Sequence, residues 1–179
     1  MFFQEEDIAR GLFNKRGKEN PPETPSLQRD WQQSKEYRWE YEALYKSSPR
    51  ISIEQMERVV RRISDDFNIA APTIRYRKPH PTHKNPSSSY DSDLDKILMK
   101  HKEMSFVIHE LAHAIDEKIN GNKWSAHSPS FVRTVIHLAE RYQFWHDPKV
   151  LEAKAIELGL QIAPESSLPA LPPSFPRPG

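Results

Sequence analysis

Residues 106–119 read Phe106-Val107-Ile108-His109-Glu110-Leu111-Ala112-His113-Ala114-Ile115-Asp116-Glu117-Lys118-Ile119, and inside them lies an H-E-x-x-H run from His109 to His113. No Gly or Pro interrupts the stretch, and Asn120-Gly121-Asn122 is a strong C-terminal stop, so a helix is expected from about 102 to 119. Residues four apart share a helix face, so both imidazoles can reach one metal ion. Glu110, between them, can act as general base on a metal-bound water.

An ordinary surface helix would also divide into an apolar face, here Val107, Ile108, Leu111, Ala112, Ala114, Ile115 and Ile119, and a polar stripe. The content of the stripe separates the two readings. A solvated face mixes Lys and Arg with Glu, whereas His109, Glu110, His113, Asp116 and Glu117 offer only imidazoles and carboxylates until Lys118. That is a metal-binding palette.

The rest of the chain restricts the donors. It has 179 residues and no cysteine, which excludes disulfides, thiolate metal sites and cysteine nucleophiles. Any Zn²⁺ site must use His, Asp or Glu. The formal net charge is +1, and the basic runs Arg58, Arg61, Arg62 and Arg75, Arg77, Lys78 are short. They read as a solvated helix face and an exposed strand rather than a nucleic-acid surface. The N-terminal residues lack a basic leader with an apolar core, and no stretch is apolar for the roughly 20 residues a bilayer requires. The expectation is a cytoplasmic monomer with no membrane or nucleic-acid partner.

One domain is expected over 27–162, between a flexible arm at 1–26 and a disordered tail at 163–179 that holds six of the 16 prolines. A short helical turn is expected near Ile8 to Phe13. Residues 27–46 lack Gly and Pro, and Trp31, Tyr37, Tyr41, Leu44 and Tyr45 recur at roughly helical spacing. Ser52 is a good N-cap for a helix to about Phe67, with Ile53, Met56, Val60, Ile63 and Phe67 as a narrow apolar seam. Residues 72–77 read as a strand, 80–89 as a loop, and 89–100 as one or two short strands. Ser128-Pro129 and Asp147-Pro148 each pair an N-cap with a first-turn proline and predict two more helices.

Catalytic zinc usually takes three protein ligands. Asp116, His127, His137, Glu140 and His146 are the candidates beyond His113. On the helix expected at 129–142, His137 and Glu140 lie opposite Phe131, Val135 and Leu138, which must pack inward. Continuing that turn backward places His127 on the inward line, four residues before Phe131, and favours it as third ligand. Asp116 is either a carboxylate behind an imidazole N–H or a solvated one, the second reading being favoured.

Placed in this way, the chain resembles the small zincin-like metallopeptidases. In their SprT-like, WLM and YgjP-like groups, H-E-x-x-H is followed by a loop and an H-x-x-x-F segment that opens a helix, here His127-Ser128-Pro129-Ser130-Phe131. It is still more similar to a bacterial family of metallohydrolases whose activity is uncharacterised. That family opens on a helix reading roughly R-D-x-Q-x-x-K-x-Y, matched here by Arg29-Asp30-Trp31-Gln32-Gln33-Ser34-Lys35-Glu36-Tyr37. Its downstream segment is H-G-P-x-F, and Ser128 replaces the glycine. The likeness covers about 27–160 and is strongest at the two metal motifs. No zinc-ribbon cysteines follow, so the DNA-repair roles of some SprT-like proteins do not transfer.

The resemblance implies an α+β, zincin-like fold: N-terminal helices, a small sheet, the H-E-x-x-H helix and C-terminal helices. It also implies an edge strand, within 89–99, that lines the cleft and pairs with extended substrate. The expected function is a zinc metallopeptidase with His109, His113 and His127 as ligands and Glu110 as base, acting on a peptide or protein substrate. Tyr142, His137 and His146 are candidate oxyanion donors. Two alternatives remain: hydrolysis of a non-peptide bond at the same site, or a non-catalytic module in which zinc only stabilises the fold.

Overall fold

The computed structural model describes residues 32–45, 48–78, 88–121, 127–142 and 148–169. Helix α1 spans Gln33–Ala43 and α2 Ile53–Asp66; strands β1 Thr73–Tyr76, β2 Ser89–Asp91 and β3 Lys96–Met99 follow. Helices α3 Met104–Asn120, α4 Pro129–Tyr142 and α5 Pro148–Glu157 complete an α+β architecture of five helices and one three-stranded sheet among the described residues.

Local chemistry accounts for the element ends. Ser52 Oγ accepts from Gln55 N–H while the Gln55 side chain accepts from Ser52 N–H, a reciprocal capping box that starts α2. Behind it Met56, Val60, Ile63 and Phe67 are buried, as their three- and four-residue spacing requires. Gly121 ends α3 at φ 69°, a left-handed position that costs glycine nothing. Ser128 Oγ accepts from Phe131 N–H and opens α4.

In the sheet β3 is central, parallel to β1 and antiparallel to β2. Ile74 and Tyr90 flank Ile97, and Tyr76 lies beside Met99, so the two-residue period collects these side chains on one face. Ile97 and Met99 are fully buried there, and β2 and β3 both pack on α3. The β2–β3 turn is held by Asp91, whose carboxylate accepts from Leu94 N–H, and by Asp95 at φ 46°.

Helix α3 lies at the centre of the molecule. Its apolar residues Val107, Ile108, Leu111, Ala112, Ala114 and Ile115 are fully buried, but so, nearly, are His109, Glu110 and Asp116 on the polar stripe. The stripe is therefore not a solvated face. Helix α4 packs along α3, α2 covers it from another side, and α5 joins α4 to α1. Trp39 anchors that last contact, buried completely with its indole N–H donating to Leu151 O at 3.0 Å.

Residues 163–169, assigned on sequence to a disordered tail, pack on the domain instead. Ala163 N–H donates to Pro129 O at 2.9 Å, Arg133 Nε to Ala163 O at 2.7 Å, and Leu168 is buried. Prolines remove backbone donors but leave Leu168 free to join the core. The arm at 1–26, most of the 80–89 loop, His146 and residues 170–179 lie outside the described residues. Arg58, Arg61, Arg62, Arg75, Arg77 and Lys78 are exposed. No described helix is long and apolar enough to cross a membrane.

Candidate metal centre

One turn of α3 brings His109 Nε2 and His113 Nε2 to 3.1 Å from each other. His127 comes from the residue before the α4 cap, and one ring nitrogen from each of the three histidines lies within 4.8 Å of the others. All three named on sequence are thus together. Three convergent imidazoles on a buried floor form a nitrogen donor set that suits Zn²⁺.

Phe131 organises the rings. It stacks on His113 with centroids 4.3 Å apart at 24°, and meets His109 and His127 edge-on at 5.2 and 5.1 Å. The four-residue step from His127 to Phe131 therefore has a physical use: the aromatic ring is a wall against which all three imidazoles rest. Ser128 and Asp116 fix the approach of the two helices. Asp116 accepts from Ser128 Oγ at 2.9 Å and from Asn120 Nδ2 at 2.8 Å, so the start of α4 is tied to the last turns of α3. A glycine at 128 would lack this bond.

The third wall comes from α1. Gln32, Glu36 and Glu40 succeed one another at four-residue steps, and all three are completely buried. Gln32 Nε2 donates to His127 O at 2.8 Å, and Gln32 Oε1 accepts from Gln161 N–H at 2.9 Å. Glu36 lies between two imidazoles, Oε1 at 3.7 Å from His109 Nδ1 and Oε2 at 3.5 Å from His127 Nε2. Both oxygens of Glu40 lie 2.8 Å from His109 Nδ1, and Tyr45 Oη donates to Oε2 at 2.5 Å. A carboxylate only accepts, so the Nδ1 proton of His109 belongs to this contact. Tyr37 closes the side, its ring 5.0 Å from that of His127.

Electrostatics follow from this packing. Burial alone pushes His109 down, but the charge and hydrogen bond of Glu40 outweigh it and raise the imidazole to about 9 in the metal-free protein. Burial would likewise raise Glu40, yet His109 and the Tyr45 hydroxyl hold it below the usual carboxylate range. His113, half-buried and facing two other imidazoles, is held well below its ordinary value by desolvation and by those neighbours, and is neutral, the form that ligates. Glu110 is nearly buried; its desolvation and the Glu40 charge raise it to about 7 against the opposing pull of His109 and a hydrogen bond from the Tyr90 backbone N–H.

The other sequence candidates fall elsewhere. His137 meets Phe67 edge-on, Tyr142 Oη donates to Asp66 at the end of α2, and Glu140 is exposed. Sequence reasoning missed Gln32, Glu36 and Glu40. Their four-residue spacing was the available signal, masked by the tyrosines that alternate with them. Comparison of the chain with protein-family models, with curated proteins and with solved structures finds no match.

Proposed function

We propose that this protein is a zinc-dependent metallopeptidase of zincin-like fold, with His109, His113 and His127 holding the ion and Glu110 as general base. The observation that carries the reading is the pairing of a three-imidazole floor with Glu110, a buried carboxyl in the same helix turn. A site that only stabilised the fold would need no such group beside it.

When bound, the ion supplies Lewis acidity that polarises a scissile carbonyl and favours ionisation of water. Glu110 handles the proton. Its carboxylate would take a proton from the attacking water and give it up again to the departing amine nitrogen. The Tyr90 N–H orients that carboxylate from β2, an edge strand. Extended peptide adding alongside β2 would run past Glu110, which supports a peptide over a small ester as substrate.

A second reading has one observation in its favour. Glu36 lies 3.5 Å from His127 Nε2, and a shift of that carboxylate toward the three imidazoles would add a fourth protein donor, close the site and make it structural. Cleavage of casein or a peptide library by wild type and by Glu110→Gln, with metal content measured on both, separates the readings. Metal in both proteins with cleavage by wild type alone is expected. Metal in both with no cleavage by either, across peptide and ester libraries, overturns the enzymatic reading in favour of a closed site.

A further inference from the structure

We propose that Glu40 is the positioning residue of the metal centre: by holding the Nδ1 proton of His109 it forces that imidazole to present Nε2 to the metal. The inference rests on His109 being a ligand. It also gives helix α1, to which the proposed chemistry assigns no task, a place in the site.

Burial of the Glu40 carboxylate carries a cost. Removing a carboxylate from water is unfavourable unless close partners replace the lost hydration. Glu40 is wholly buried, and its partners are the His109 ring and the Tyr45 hydroxyl. Tyr45 in turn stacks on Phe106 with centroids 4.5 Å apart, one turn before His109 on α3. The carboxylate therefore cannot swing away without unpacking the α1–α3 contact.

Direction is the second element. Imidazole carries its two nitrogens on different edges, and a hydrogen bond at one decides which form the other takes. His109 points Nδ1 at Glu40 and Nε2 at His113 Nε2. With the proton fixed on Nδ1, the Nε2 lone pair faces the other imidazoles. A carboxylate behind a ligating histidine also increases its basicity, and loss of such a partner typically weakens metal binding about 10- to 100-fold. Gln32 acts in parallel on the backbone of His127, so the outer support of two ligands comes from one helix face.

The test compares Zn²⁺ affinity of wild type, Glu40→Gln and Glu40→Asp by competition with a chromophoric chelator, beside nitrogen-15 spectra of the His109 ring in zinc-loaded wild type. Glu40→Gln should bind about 10- to 100-fold more weakly, with Glu40→Asp recovering part of the loss. The wild-type spectrum should show a protonated Nδ1 and a metal-bound Nε2. Equal affinity in wild type and Glu40→Gln would overturn the inference. So would a His109 bound through Nδ1, a result that stands even if the variants fail to fold. Wild type that holds no zinc would instead remove the metal reading itself.

Discussion

Helices α3 and α1 each place a pair of metal-chemistry residues four positions apart on a buried face: His109 and His113 on one, Glu36 and Glu40 on the other. The spacing is the same and the legibility is not. The histidines announce themselves because imidazoles with an intervening glutamate are unusual on a helix. Two glutamates on a polar helix look like any solvated face. What buries them is the set of partners that α3 and the start of α4 bring to them, and those are distant in sequence. The proposed ligands could be read from local spacing, whereas the residues that hold those side chains in place need the tertiary structure.

The largest expected effect separates the two members of the α3 pair. His109→Ala strands the Glu40 carboxylate in the core and should destabilise the metal-free protein by about 3–5 kcal/mol. His113→Ala removes a neutral ring that rests on Phe131 and should cost clearly less. Urea denaturation of both in chelator checks this; equal losses would mean that Glu40 has another cation.

A second expectation concerns pH. The folded protein keeps the His109 proton to about 9, above the ordinary 6.5 of the unfolded chain. The stabilisation is therefore complete below about 6.5 and is lost as pH rises through about 9. Metal-free protein should weaken over that window by on the order of 3 kcal/mol. Zinc affinity should rise across the same range, since the proton competes for Nε2. Glu40→Gln should flatten both slopes, and unchanged slopes would detach His109 from Glu40.

Much of the fold was legible. The Ser52 and Ser128 caps, the Gly121 stop, the seam from Met56 to Phe67 and the two short strands after 88 all fall where local chemistry places them. Harder to read was α1, where recurring aromatics pointed to a tyrosine-lined face. Tyr37, Tyr41 and Tyr45 are only half-buried, whereas Gln32, Glu36, Trp39 and Glu40 are fully so. Hydrophobic pattern ranks tyrosine above glutamate for burial and cannot register a carboxylate whose cation lies 69 positions away. The end of the domain was misplaced for a related reason. Proline density masked Leu168, whose burial depends on a surface formed by other elements.

Two smaller effects sharpen the contrast from the α3 side. Ser128→Ala should cost about 1–2 kcal/mol, because it deletes the α4 cap and the bond to Asp116 together. Its zinc affinity should fall less than that of Glu40→Gln, since the approach of the helices is loosened but no ligand proton is moved. Gly121→Ala should cost about 1 kcal/mol, purely from the left-handed backbone, as an added Cβ there meets nothing within 4 Å. Thermal melting in chelator reads both, and a larger Gly121→Ala loss would show that this end of α3 bears on the site.

The most direct measurement is metal analysis of the purified chain by mass spectrometry, beside His127→Ala, with X-ray absorption at the zinc edge. The account predicts one zinc per wild-type chain, a nitrogen-rich shell with three imidazoles, and loss of stoichiometric metal in the variant. Wild type that binds no zinc when offered it, or a variant that keeps its zinc with an unchanged shell, would contradict the three-histidine centre.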